Sequence, residues 1–233
     1  MSGNGEELLD WLMEENLGSA RLNYVPHADF MLATTTLKDG LTNTDMGKIV
    51  YTFELVDNEM QLLDIDIVLR NSNTTGLEFC HMLPGSSDAN EYYQAEIVDA
   101  GARVNIETVN RHTIEGELQG SVRNVSVSAF PFQLSVYDSI EAFQKETGVP
   151  FSDKYAGCSF GDEIYATVVG KVMAARDVRM QAGDRSIDFV IAWLDTALGM
   201  IPAAMSRDVF DLESLAPGKT VVMNANLKAD LAP

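Results

Sequence analysis

Hydrophobic residues along this chain fall first at helical spacing and then, from about residue 29, at every second position. The opening segment predicts a helix. Asn4 caps it, Glu7 completes a capping-box arrangement, and Glu6 and Glu7 lie at the positive end of the helix dipole. Leu8, Leu9, Leu12 and Met13 share a face, Trp11 widens the stripe, and Gly18 supplies a stop. Such a stripe packs into a core; its alternative use is to dock a partner.

The change to period two predicts strands. Ile49, Tyr51, Phe53 and Leu55 alternate over 49–56, and Leu63, Ile65, Ile67 and Leu69 alternate over 60–70. For both sets to share a face, opposed residue numbers must sum to an even number, which the loop Asp57-Asn58-Glu59 provides. Thr52 then opposes Asp64 and Glu54 opposes Leu62 on an outer, solvated face.

Leu77, Phe79, His81 and Leu83 share the next strand's inner face, and Pro84-Gly85-Ser86-Ser87 ends it. Over 88–100, Asp88 and Glu91 resemble a capping box, and Tyr92, Tyr93, Ile97 and Ala100 fall at helical spacing, so a helix is predicted. Strands follow near 103–109, 113–122 and 125–137, with a turn or bulge at Arg123-Asn124 where the apolar parity shifts. Pro131 marks 125–137 as an edge strand. A short helix over 139–147 stops at Gly148 and Pro150.

The division that results is a mainly β domain over 1–150, a linker over 151–161 and a small barrel over 162–233. The fold class is α+β, mainly β, with an acidic antiparallel-sheet N-terminal region carrying two or three helices. A chain of 233 residues with 46% apolar side chains has enough material for a core that removes roughly three quarters of its surface from water. No run of about 18 apolar residues is present to cross a membrane. The two cysteines, Cys80 and Cys158, are read as reduced thiols, and the first residues lack a signal peptide's cationic and apolar regions, so a cytoplasmic location is expected.

Charge narrows the partners. The formal net charge is −19. Residues 1–100 carry 4 basic and 18 acidic side chains (−14), residues 101–160 carry 5 and 7 (−2), and residues 161–233 carry 7 and 10 (−3). Nucleic acid and anionic membranes need cationic surface, so neither is an expected partner.

From residue 163 the chain has a distinct rhythm. A long β run, Glu163 to Met173, has Gly170 in its second half. Next come Ile187 to Leu194, the Gly-led run Gly199 to Ser206, and Pro217-Gly218-Lys219-Thr220-Val221 leading into a final strand. This segment resembles OB-fold barrels. The resemblance implies a small barrel with a surface on its second and third strands, where such barrels take nucleic acid or oligosaccharide through aromatic and cationic side chains. Phe189 and Trp193 are the aromatics that fall on that second strand, and they are the candidate ligand or partner surface.

Two further constellations have chemical content. Asp64 and Asp66 share a strand face about 6.5–7 Å apart at the backbone, with Glu54 diagonally near, an arrangement open to a hard cation such as Mg²⁺ or Ca²⁺. On the outer face of a hairpin, paired carboxylates are more commonly solvated. Cys80 and His81 are adjacent, but strict alternation sends them to opposite faces, so no nucleophile–base pair is expected and His81 is read into the core. Phosphate-binding loops and the hydrolase and zincin motifs are absent.

These readings lean away from an enzyme and call for no cofactor. The leading expectation is a non-catalytic cytoplasmic module that binds another protein or associates with itself. An acidic mimic that blocks a nucleic-acid-binding protein is the alternative, and a metal-dependent hydrolase using Asp64 and Asp66 comes third.

Overall fold

The computed structural model describes residues 21–24, 30–56, 59–86, 90–111, 114, 116–158, 164–182, 185–207, 210 and 212–231. The chain divides into two compact units. One holds residues up to Arg70 together with Val178–Asp188, and the other holds Asn71–Asp177 and Phe189–Pro233.

In the first unit β1 (Arg21–Tyr24), β2 (Phe30–Lys38), β3 (Asp45–Val56) and β4 (Glu59–Leu69) form an antiparallel sheet in chain order. Ile49, Tyr51 and Phe53 are buried on one face of β3. Val50 and Thr52 are buried on the other. The β2–β3 connection is organised by Asp39, which is wholly buried. Its carboxylate accepts from the backbone N–H of Leu41 at 3.0 Å, the Thr42 hydroxyl at 2.7 Å and the backbone N–H of Arg179 at 3.3 Å. Asn43 takes the left-handed conformation there, at φ 53°. A few residues on, a Cβ at Gly47 would lie 2.0 Å from the carbonyl oxygen of Val68, so only glycine fits against β4.

The second unit contains β5 (Thr75–Met82), β6 (Glu91–Ile97), β7 (Arg103–Val109), β8 (Val122–Tyr137), α1 (Ile140–Thr147), β9 (Tyr155–Cys158), β12 (Gly199–Ser206), a 3₁₀ turn (Leu212–Leu215) and β13 (Thr220–Asp230). It also holds most of β10 (Ala166–Ala182) and β11 (Arg185–Thr196). The helix has the expected ends: the Ser139 hydroxyl accepts from the N–H of Ala142, and Gly148 closes it in the left-handed region. Phe143 on its buried side sits edge-on to Tyr137 and stacks with Phe151, which stacks in turn on Tyr155 at 4.1 Å.

The sheet order is β11-β12-β8-β5-β6-β7-β13-β10-β9, with further pairings of β11 with β10 and of β8 with β13. Those two pairings close it. The 16-residue β8 gives one edge to β5 at 122–125 and to β12 at Ala129, and its other edge to β13. The second edge of β13 is shared in the same way, by β10 at 222–225 and by β7 at 228–230. Two five-strand circuits follow: β10-β11-β12-β8-β13 and β5-β6-β7-β13-β8, each using the β8–β13 pair and each containing one parallel step. Apolar side chains of both circuits, among them Leu77, Phe79, Ile106, Val168, Leu194, Ile201 and Met223, form one core cluster. Gly170 lies at the closure of the first circuit, where a Cβ would be 2.6 Å from Thr196 Cγ2 and 3.0 Å from the Asp195 carbonyl oxygen.

Several sequence expectations are corrected. The fold is mostly β, and α1 is its one α-helix among the described residues, so the α+β class with two or three helices does not hold. The proposed N-terminal helix lies outside the described residues. The proposed helix over 88–100 is strand β6, with Tyr93, Ala95 and Ile97 buried at period two. Pairing with β5 on one side and β7 on the other outweighs the local helical spacing. The strand expected over 113–122 does not form among the described residues, and Gly116 and Gly120 there have φ of 86° and 77°. β8 begins at Val122 and runs through Arg123-Asn124 without a turn.

Pro131 pairs with Ala225 of β13 beside the register shift between Asn224 and Ala225, past the positions at which β5 and β12 pair with the other edge of β8. The β3–β4 hairpin opens at Val56 opposite Glu59, and an irregularity past Thr52 leaves Leu63 without an opposing residue. Thr52 faces Asp64 as expected, while Glu54 faces Gln61 in place of Leu62. Within the stretch 151–161, Tyr155–Cys158 forms strand β9 against β10.

Candidate functional site

The outer face of β11 carries the two aromatics singled out in the sequence. Val190, Ala192 and Leu194 point into the core, so Phe189, Trp193 and Asp195 alternate onto the other side, all three half-buried. β12 runs antiparallel beside them, with Trp193 opposite Pro202 and Phe189 opposite Ser206. The Arg176 guanidinium lies 5.7 Å from the centroid of the Trp193 ring, a cation–π arrangement. Asp195 accepts from Lys154 Nζ at 2.8 Å, and Arg207 pairs with Asp177. Arg179, one of the cations clustered in sequence near the β10–β11 connection, is held by both carboxylate oxygens of Asp188 at 2.7 and 3.0 Å. Local acids therefore neutralise much of the cationic charge that a phosphate backbone would need.

An open cleft of about 450 Å³ lies elsewhere in the second unit, lined by Cys80, Glu91, Tyr93, Arg111 and Glu117 among others. Three of its polar groups, Glu91, Tyr93 and Arg111, are already committed to one another. Arg111 donates to Glu91 at 2.9 Å and to the carbonyls of Ile114 and Gly116 at 2.9 and 2.7 Å, and the Tyr93 hydroxyl donates to the same Glu91 oxygen at 2.8 Å. Burial pushes the Tyr93 phenol up to about 12, with the Glu91 charge adding to the rise and Arg111 opposing it. The constellation ties Arg111, Ile114 and Gly116 to Glu91 of β6. Sequence reasoning missed it because β6 was read as a helix, which would have turned Glu91 and Tyr93 away from each other.

Cys80 is the extra residue of a β-bulge: Phe79 pairs with Ala95 and His81 with Gln94, which leaves Cys80 unopposed. Strict alternation fails across the bulge, and His81 is exposed, a correction to its expected core position. The Cys80 thiol contacts the carbonyl of Glu78 at 3.5 Å. Cys158 on β9 accepts from Gln94 Nε2 at 3.3 Å; burial raises its thiol pKa and that hydrogen bond opposes the rise. Both cysteines are free. His27 and His112 lie outside the described residues.

Asp64 and Asp66 share the β4 face opposite Thr52 and Val50, each offering a carboxylate oxygen within 4.8 Å of the other's. Asp66 is 3% exposed and Asp64 half-buried, so the face expected to be solvated is largely covered.

Compared with known protein families, curated proteins and solved structures, the chain matches none of them. No helix among the described residues is long and apolar enough to cross a membrane.

Proposed function

We propose that the chain is a non-catalytic cytoplasmic module that binds another protein through the outer face of β11, with Trp193 as anchor. The observation that carries this is the pairing of a half-buried Trp193 with Arg176 on an outer strand face, opposite Pro202. Tryptophan and arginine are the residue types most enriched where a few side chains supply most of the energy of a protein interface. The Asp195–Lys154 pair nearby gives that face a polar rim of both signs. A closed circuit built on the β10-β11-β12 meander supports the OB-like reading of this part, and β11 is the strand on which such barrels present a ligand face.

Affinity capture from the native host, repeated with Trp193→Ala, tests the proposal. A protein partner held by the parent and lost, or held at least tenfold more weakly, by a folded variant is the expected result. A partner retained equally by both, or heat protection by small metabolites with no protein recovered, overturns it.

The −14 balance of residues 1–100 favours a second reading, in which an acidic surface occupies the basic cleft of a nucleic-acid-binding protein. Under it the captured partner is released by heparin or DNA, whereas a partner held at Trp193 stays bound.

A further inference from the structure

The second unit holds two free cysteines, and both lie beside the same residue, Gln94. Gln94 is on β6, and its Nε2 donates to the Cys158 sulfur at 3.3 Å. Across the sheet His81 pairs with Gln94 and Phe79 with Ala95, so Cys80 is the extra residue inserted next to Gln94. Each cysteine is half-buried, neither sealed in the core nor fully in solvent.

Electrostatics agrees with the strand pairing. Burial is the largest cause of the raised Cys158 pKa; Gln94 and Arg103 oppose it, and the charge of Cys80 adds to the rise. A Coulombic effect between partly buried groups fades within roughly 10 Å in salt, so the two sulfurs are near neighbours. Neither is locked in place. A residue inserted by a bulge is left out of the ladder. Cys158 ends the four-residue β9, which among the described residues pairs with β10 alone.

We propose that Cys80 and Cys158 form a reversible disulfide on oxidation by hydrogen peroxide, tying β9 to β5 beside Gln94. Cys80 borders the open cleft of about 450 Å³ and is the thiol that peroxide reaches first. Its thiolate attacks one peroxide oxygen; an S–O bond forms, the O–O bond breaks, and the departing hydroxide takes up the proton the thiol lost, giving a sulfenic acid and water. Cys158, which holds its proton more tightly and so reacts more slowly on its own, is the resolving thiol. Its thiolate attacks the Cys80 sulfur, the S–S bond forms, the S–O bond breaks, and a second water departs. Two thiols are thereby oxidised by two electrons and one peroxide is reduced to two waters. The Gln94 amide turns away from Cys158 as the bond closes, and a dithiol reverses the step. This modification is separate from the proposed partner face, which lies on β11.

Mass spectrometry of the full chain at about 5 µM, treated with a small excess of hydrogen peroxide and then blocked with iodoacetamide, tests it. The expected product is a monomer about 2 Da lighter than the reduced chain, with neither thiol alkylated, a cross-linked Cys80–Cys158 peptide, and full recovery in dithiothreitol. In Cys158→Ser the sulfenic acid at Cys80 has no resolving thiol, so dimedone traps it at least tenfold more than in the parent. In Cys80→Ser the remaining thiol stays reduced at the same dose. Two thiols still open to alkylation, Cys80 driven past the sulfenic acid while Cys158 stays free, or disulfides formed only between chains overturn the proposal.

Discussion

The backbone N–H of Arg179 donates to a carboxylate oxygen of Asp39 at 3.3 Å across a separation of 140 residues, and the N–H of Gly40 returns a bond to the Arg179 carbonyl at 2.6 Å. A wholly buried acid thereby holds both its own turn and the start of the 178–188 hairpin within the first unit. Removing one acceptor from such a site leaves several donors short at once.

Asp39→Ala is expected to destabilise that unit by about 1–3 kcal/mol, because the N–H groups of Leu41 and Arg179 lose their acceptor. Asp39→Asn, which keeps one carbonyl oxygen, loses less. Urea denaturation followed by fluorescence compares the midpoints, and equal stability of parent and alanine variant refutes the assignment.

Gly170→Ala tests closure of the first circuit. The added methyl meets Thr196 Cγ2 at 2.6 Å and a backbone oxygen at 3.0 Å, so a cost of about 1–3 kcal/mol is expected from overpacking. Adding Thr196→Ser, which removes the facing methyl, recovers part of it. A neutral single variant shows that β11 does not press on β10 there.

Alkaline titration should find two late phenols, Tyr51 and Tyr93, each raised by burial to about 12. The unfolded chain releases these protons near 10, so between about pH 10 and 12 the unfolded state binds fewer protons than the folded one. Their contribution to stability is complete below that window and is lost as pH rises through it. Absorbance near 295 nm reads the titration, and Tyr93→Phe should remove one of the late steps.

Cys158 should alkylate more slowly with iodoacetamide near pH 8 than an unperturbed thiol, because burial raises its pKa and the thiolate is the nucleophile. Gln94→Ala removes the hydrogen bond that opposes the rise and should slow the reaction further. Mass spectrometry resolves the site, and a rate equal to that of free cysteine contradicts the prediction.

Short single-stranded DNA or RNA should bind no tighter than about 10 µM near physiological salt, since among the described residues acids offset the cations around Trp193, as Asp195 does Lys154 and Asp177 does Arg207. Fluorescence anisotropy with labelled oligonucleotides measures this. A sub-micromolar, salt-sensitive isotherm lost in Trp193→Ala overturns it.

What the chain alone makes legible is local chemistry. Ser139 and Gly148 bracket the one described helix, the run Gly199–Ser206 coincides with β12, and Arg103–Val109 with β7, because caps and β-rich runs state their ends in the residues themselves. Thr52 meets Asp64 only because the extra residue at Leu63 restores the even sum that the tip, closed by Val56 opposite Glu59, lacks. Bulges are where the reading fails. A tip closed by Val56 opposite Glu59 moves the partner of Glu54 to Gln61, an extra residue at Leu63 shifts the register back, and one at Cys80 carries His81 out to solvent, and no glycine or proline announces any of them. β6 is misread for another reason: Tyr92 and Tyr93 present helical spacing, and only distant neighbours in β5 and β7 impose the strand. The β11 face was legible as aromatic positions, while Arg176 over Trp193 depends on the fold of β10 against β11.

The sharing of β8 and β13 between two circuits has a consequence for how the protein is made. While a ribosome has delivered the chain only as far as β12, β8 has one side unsatisfied and neither circuit can close, for β13 is their common last piece. Until residue 230 emerges, the bare flanks of β7, β8 and β10 are templates for pairing with other nascent chains. A stop codon or frameshift before β13 would therefore release a product lacking both circuits, shed as aggregate or degraded, in place of a half-functional fragment. Yield in the cell should depend on the codons of β13 far more steeply than the small share of the core they encode suggests.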